Sequence, residues 1–294
     1  MTTQTTAPVP ASWREIPEGA VDLRLVVVDM DGTLLLPSGE VPAAFWPVLE
    51  RLEERGIAFV PASGRQLATL RAGFGPHGVT SFVAENGTVV VREDEIVATT
   101  ALETAVAREA ILAAREAGAG RPLGIVRCGV HGACVEQADE EFLQVAGQYY
   151  HQLTVVEDLL AVQDEVIKVA VHDAIDAAPT AEAVFARFAP AQQVVVSGKH
   201  WIDVMPATAD KGRGVRALQE ALGVTAAQTA VFGDYLNDLP MFPVAEHSFA
   251  MADAHPDVAA AARYGAPSNA DAGVVQVLEH LLGDASVPSG RMRG

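Results

Sequence analysis

Cysteine is almost missing from this chain. Cys128 and Cys134 are the only two in 294 residues, too few for a disulfide framework, and without neighbouring ligands they read as ordinary packing residues. Lysine is nearly as scarce, three of the twenty basic residues, and the net charge is −18 with no basic run anywhere. Binding to nucleic acid or to an anionic membrane rests on Lys and Arg neutralising phosphates, so neither partner is expected. The acidic balance serves solubility, and it repels anionic substrates at long range, so any attraction for them has to be local. No apolar stretch approaches the ~18 residues of a membrane helix. Met1 to Pro10 has no basic residue and no apolar core, so neither a signal nor a transit peptide is read there, and the expectation is a soluble cytoplasmic protein. The eight histidines are scattered, and none is assigned to metal. A Walker loop, a Gly-x-Gly-x-x-Gly after a strand and a Gly-x-Ser-x-Gly elbow are all absent, which removes nucleotide-binding and serine-hydrolase readings.

What the chain does contain is Asp29-Met30-Asp31-Gly32-Thr33-Leu34-Leu35, directly after the β-rich run Leu23–Val28. Two carboxylates sit one residue apart where a buried strand opens into a glycine turn. In open α/β sheets, ligands collect outside the carboxyl ends of the strands. An acidic pair there opposes folding through repulsion and desolvation, so it points to a bound cation or a chemical task. Phosphoryl transfer fits: an aspartate can attack phosphorus and form an aspartyl-phosphate, and a carboxyl two residues on can handle protons. A carboxylate approaching a phosphate dianion meets a barrier of roughly 4 kcal/mol per charge pair at ~4 Å and an effective dielectric of ~20. A divalent metal and a lysine are needed to offset it.

Further acids and a lysine occur downstream. Phe232-Gly233-Asp234-Tyr235-Leu236-Asn237-Asp238 follows the β-like Thr229–Val231, and Lys211 opens a helix predicted over Lys211–Leu222. A third apolar run ends in Val60-Pro61-Ala62-Ser63-Gly64-Arg65, where Ser63 and the following amides would form an anion site at a helix start. Taken singly, these features have plainer readings. Asp29 with Asp31 could be a turn pair, Asp234 with Asp238 a favourable helix start, Ser63 an N-cap and Lys211 a solvated lysine. Their joint presence in this order favours chemistry. Lys168, inside the apolar Val166–Val171, and Lys199 read as structural or exposed.

The succession DMDGTLL, ASGR, a lone Lys and GDYLNDLPM resembles the haloacid dehalogenase-like (HAD) phosphatases. Asn86-Gly87 and Met251-Ala252-Asp253-Ala254 resemble the Cof-type subfamily, which carries a large (class IIB-like) cap. The resemblance covers roughly residues 22 to 283. It implies Asp29 as nucleophile, Asp31 as general acid and base, and Mg²⁺ as cofactor. The metal would be held by Asp29, the Asp31 carbonyl and Asp234, with Asp238 behind them or bound through water. It also implies Ser63 and Lys211 on the phosphate, Thr33 offering its hydroxyl and amide, and Asn237 as a phosphate or loop contact. Gly64, Arg65 and Asn86 would organise the phosphate loop or face the substrate. One departure is visible: Cof-type chains usually have Asn before the Ala following the fourth motif's helix, then Val-Lys, where this chain has Asp253 and Asp257-Val258-Ala259.

Strand and helix alternate from Leu23, with a helix over Pro42–Arg55, a strand over Ile57–Ala62, a helix over Gln66–Ala72 and a strand over Ser81–Glu85. That alternation predicts an α/β fold, a doubly wound parallel sheet covered by helices. After Asn86 the character changes to a hairpin (Thr88–Val91 and Ile96–Thr100), a helix over Leu102–Ala117 and strands at Leu123–Arg127, Ala133–Gln137, Val166–His172 and Gln193–Ser197. The expected division is a flexible tail over 1–20, a Rossmann-like core over 21–88 and 199–283, an inserted α+β cap over 89–198, and a second tail over 284–294. The expected activity is Mg²⁺-dependent hydrolysis of small phosphorylated metabolites, sugar phosphates foremost by family resemblance. A phosphomutase or phosphotransferase would share every core residue, and a non-catalytic regulatory binding protein on the same fold is the third class. Oligomeric state is not legible.

Overall fold

The structure is a computed structural model and describes residues 10–283. The expected tail over 284–294 and the first nine residues lie outside that range. Contacts divide the chain into two compact units, one built from residues up to Ala62 together with those from Lys211 onward, the other from Ser63–Asp210.

The first unit is organised by a parallel sheet. From its edge the strands run Ala11–Ser12, Tyr264–Gly265, His247–Ala250, Thr229–Gly233, Leu25–Asp29 and Ala58–Ala62, each parallel to the next. Leu25 to Val28 are fully buried, as expected of a strand covered on both faces, where a continuous apolar run replaces alternation. Val27 faces Val231 on one side and Val60 on the other. Phe232 and Phe249 stack at 4.6 Å between neighbouring strands. The helices Phe45–Glu54 and Lys211–Leu222 lie where the sequence pattern places them, and Gly273–Leu282 is a third. Because Leu25–Asp29 pairs on one side with its sequence neighbour and on the other with a strand some two hundred residues later, the strand order reverses beside it. Ligand crevices of doubly wound sheets form at such a reversal.

The expected loose segment over 1–20 gives way to order between Ala11 and Ile16. Ala11–Ser12 adds a strand beside Tyr264–Gly265. Trp13 and Ile16 are buried, with the Trp13 ring edge-on to His280 at 5.1 Å. Two apolar side chains with a partner surface suffice to hold a Pro- and Ala-rich stretch.

The second unit contains the antiparallel strands Phe82–Ala84, Val89–Arg92 and Glu95–Thr99. It also contains a six-stranded sheet in the order Gln192–Ser197, Trp201–Pro206, Val166–Asp173, Leu123–Gly129, Gly132–Val135 and Leu153–Val155. Ile125, Val169, Val171, Ile202 and Val204 form one apolar face, packed with Ala110, Ile111 and Ala114 of the helix Thr104–Gly118 and with Phe185. The helix Glu140–Gly147, not expected from the sequence, covers the other face. Its Phe142 sits so close to Gly124 that a Cβ there would lie 2.0 Å from the ring.

This unit is larger than the expected insertion at both ends, and strand pairing supplies the reason. The hairpin at 89–99 pairs with Phe82–Ala84, which draws in the chain before residue 89. Trp201–Pro206 falls at the start of the stretch 199–283 expected for the Rossmann-like core, but it runs antiparallel between Val166–Asp173 and Gln192–Ser197. The doubly wound pattern therefore resumes only with Lys211.

Candidate active site

Asp29 ends its strand 5% exposed, and the chain then turns through Met30–Leu34 with Gly32 at φ 82°. That left-handed conformation favours glycine. A Cβ at Gly32 would lie 2.3 Å from Asp234 Oδ2, so the turn brings bare backbone against the second acidic loop. Gly233 works the same way on the neighbouring strand, where a Cβ would lie 2.5 Å from that of Asp238. Two glycines thus let two strand ends and their carboxylates converge.

Lys211, at the start of its helix, is completely buried. Its ammonium donates to Asp29 Oδ1 and, at 2.6 Å, to Asp238 Oδ1. The second Asp238 oxygen accepts from the amides of Asp234 at 2.9 Å and Tyr235 at 3.1 Å, an N-terminal cap that orients the loop. Thr33 Oγ1 donates to Asp234 Oδ1 at 2.9 Å, joining the first motif to the fourth. Each carboxylate is thereby aimed by a neighbour rather than left to rotate.

Oxygens of Asp29, Asp234 and Asp238 lie within 4.8 Å of one another. Three carboxylates against one ammonium leave surplus negative charge in a desolvated place. Burial pushes the Asp29 carboxyl up to about 8, Asp238 and Asp234 adding to the rise and Lys211 opposing it. Asp234 is raised too, chiefly by burial. Burial works against the charge on Lys211, but Asp29 and Asp238 outweigh it and hold the ammonium charged. A hard divalent cation answers this arrangement, because Mg²⁺ takes oxygen donors from one or two carboxylates and keeps several waters. The donor set fits it.

The remaining candidates fall in two places. Asp31 and Asn237 are exposed on the two converging loops, and the Asp31 carboxylate is not one of the three clustered groups. Ser63, Gly64, Arg65 and Asn86 belong to the second unit, where they interlock. Ser63 Oγ accepts from the Arg65 amide at 3.2 Å, Asn86 N donates to Ser63 O at 2.9 Å, and Glu85 N donates to Arg65 O at 3.1 Å. A Cβ on Gly64 would lie 3.1 Å from the Asn86 amide nitrogen. Asp253, at the departure from the Cof pattern, accepts from Ser268 Oγ at 2.6 Å, and the adjacent Asn269 donates to the Leu35 carbonyl at 2.7 Å. The segment after the fourth motif is thus pinned to the one after the first. Sequence reasoning gave no role to Gly233 or Glu85 and read Lys168 as structural or exposed; the structure buries Lys168 and pairs it with Glu85 at 2.9 Å. Gly233 was visible as a small residue before a metal-type Asp, Glu85 as the charge preceding Asn86-Gly87 and Lys168 as a lysine in an apolar strand.

The model of the haloacid dehalogenase-like hydrolases matches residues 26–278. The chain belongs to that family. Among curated relatives of this HAD hydrolase is the 5-amino-6-(5-phospho-D-ribitylamino)uracil phosphatase YbjI of Escherichia coli (strain K12), 32% identical over 268 residues, covering 89% of this chain and 97% of the relative. The HMP-PP phosphatase of Cronobacter sakazakii (strain ATCC BAA-894) is 27% identical over 242 residues, covering 81% and 87%. Among solved structures, TM0651 from Thermotoga maritima superposes with a TM-score of 0.79 at 26% identity, covering 89% of this chain and 98% of that one. Among the described residues, no helix is long and apolar enough to cross a membrane.

Proposed function

We propose that this HAD hydrolase is a Mg²⁺-dependent phosphatase that hydrolyses small phosphorylated metabolites through an aspartyl-phosphate on Asp29. The observation that carries the reading is the buried carboxylate of Asp29, held by Lys211 at the end of the central strand and grouped with Asp234 and Asp238. Asp29 attacks phosphorus and forms the new P–O bond as the bond to the leaving oxygen breaks. Asp31, exposed on the adjoining turn, gives that oxygen a proton. It then takes one from the water that cleaves the acyl phosphate, so inorganic phosphate leaves and both aspartates return to their starting states. Lys211 neutralises charge on the transferring group.

The metal would be held by Asp29, Asp234 and the Asp31 carbonyl, with Asp238 behind them or bound through water. When bound, it screens the repulsion between carboxylate and phosphate and stabilises charge on the equatorial oxygens. By the family resemblance, Thr33, Ser63, Gly64, Arg65, Asn86 and Asn237 contact or shape the phosphate site. The substrate class we favour is a phosphate ester of a polyhydroxylated carbon chain, a sugar or sugar-alcohol phosphate. Two supports are the resemblance and the phosphoribityl group in the name of the 32% identical relative.

A phosphate-release screen over phosphorylated metabolites, run with Mg²⁺ and with excess chelator, tests the reading. Release that needs the cation, and label from a trapped turnover on Asp29, are the expected results. Label on a hydroxyl or imidazole, or full speed in chelator, would sink it. Phosphate passed to an added sugar instead of water would favour a phosphotransferase.

A further inference from the structure

Lys168 takes no part in the chemistry above, yet it is 6% exposed inside the second unit. Its ammonium lies 2.9 Å from Glu85 Oε2, an ionic contact rather than an aligned hydrogen bond, and 3.9 Å from Asp203 Oδ1. It also stands 5.5 Å over the Tyr150 ring. Burial opposes its charge, but Asp203 and Glu85 prevail and raise its proton affinity. The strand around it, Val166–Asp173, is otherwise mostly apolar. An apolar side chain in place of a buried ion pair is often neutral or better for stability, so stability alone gives little reason for this lysine.

Glu85 shows what the pairing does. Glu85 and Asn86 both carry positive φ, 49° and 57°, a conformation uncommon for any residue other than glycine and less suited to glutamate than to asparagine. Such a turn persists where its surroundings over-determine it. Here the Glu85 amide donates to Arg65 O, its carbonyl accepts from Thr88 Oγ1 at 3.0 Å, and its carboxylate is fixed by Lys168. From that turn Asn86 reaches the Ser63–Arg65 loop twice, through its amide on Ser63 O and through its side chain against Gly64.

We propose that Lys168 is a positioning residue for phosphoryl transfer: its ion pair with Glu85 fixes the left-handed Glu85–Asn86 turn that holds the Ser63–Arg65 loop in shape. The inference rests on the phosphatase reading, in which that loop meets the phosphate. It gives a strand of the six-stranded sheet a part in the chemical step, whatever the leaving group.

The test uses the full chain with Mg²⁺ and p-nitrophenyl phosphate, a substrate whose leaving group needs little recognition. Lys168→Met is expected to lower kcat roughly ten- to a hundredfold, with KM changed by less than about threefold, because misplacing a site by about 1 Å has effects of that order. Lys168→Arg keeps the charge and is expected to recover most of the loss. Glu85→Gln, which leaves Lys168 beside Asp203, is expected to fall on the same side as Lys168→Met, and it decides the matter if Lys168→Met does not fold. Rates are taken per folded molecule from thermal melts. Wild-type kcat per folded molecule in both variants would overturn the proposal. So would a loss confined to KM for bulky substrates, which would make Lys168 a leaving-group contact. Failure of the wild-type protein to release phosphate from any ester is a different outcome; it would remove the phosphatase reading and this inference together.

Discussion

Each unit of this protein buries a lysine between acids, and the two clusters differ in how the charge is arranged. Lys211 sits between Asp29 and Asp238, with Asp234 beside them. Lys168 sits between Glu85 and Asp203. In the first cluster three carboxylates from two converging loops share one ammonium, glycines remove the side chains that would hold the loops apart, and Asp29 is pushed up to about 8, chiefly by burial. In the second, one carboxylate belongs to a turn with left-handed backbone and the lysine to a regular strand. The surplus of buried negative charge suits a cation, and on the proposed reading it is Asp29 that acts on a phosphate. One lysine between two carboxylates, one of them on a constrained turn, is the arrangement we propose to hold a shape. Similar residue types therefore do different work according to charge count and the backbone they are attached to.

The sharpest way to break this comparison is to remove the proposed nucleophile. Asp29→Asn is expected to lower kcat by about four orders of magnitude or more, the scale seen when a covalent nucleophile is lost. Circular dichroism and melting temperature should stay close to wild type, since the strand Leu25–Asp29 is held by its apolar residues. Substantial turnover in this variant would place the first cluster with the second, as a structural device.

A smaller effect is expected at Asp31, which lies outside the buried cluster. Asp31→Asn should slow turnover about 10²- to 10⁴-fold for alkyl phosphates, the usual range for a positioned proton donor, and markedly less for an aryl phosphate whose leaving group needs no proton. Equal losses for both substrates would assign Asp31 another role.

The smallest effect concerns a charge in the second unit that serves stability alone. Burial favours the neutral form of Asp173, but hydrogen bonds from Arg121, Thr180 and the amides of Ile175 and Asp176 prevail and hold its pKa at about 2. A carboxyl with a folded pKa below its unfolded value stabilises above the unfolded pKa, and that contribution is lost as pH falls from about 4 towards about 2. It amounts to about 2 kcal/mol. Asp173→Asn should lower the melting temperature at neutral pH, flatten its fall over that acid window and leave kcat unchanged. A variant whose melting temperature tracks wild type at every pH would show that the hydrogen bonds contribute nothing net.

Much of the candidate site could be read before any fold was known, because its signals are local. Asp29 and Asp31 follow an apolar run, Asp234 and Asp238 follow another, and Lys211 begins a helix that forms over the residues expected, Lys211–Leu222. The strands at Ala58 and Val166 were legible for the same reason: side-chain patterning reports burial along one segment. The helix Glu140–Gly147 escaped because it is only eight residues long, too short for its apolar residues to repeat a helical period. Trp201–Pro206 was assigned by position to the Rossmann-like core, because nothing in its own sequence shows that it pairs in the antiparallel sheet.

Composition, the order of the motifs and the alternation of strand and helix are properties of the chain, and they determined the family and the α/β class and nominated the residues proposed to carry chemistry. Partnership between distant residues belongs to the folded molecule. Which acids Lys211 joins, how Gly32 admits Asp234, that Ala11–Ser12 closes a sheet edge and that Lys168 faces Glu85 all depend on sheet order and register. These contacts link residues as much as two hundred or more positions apart, so no local pattern encodes them, and only the packed fold selects among the pairings the chain allows.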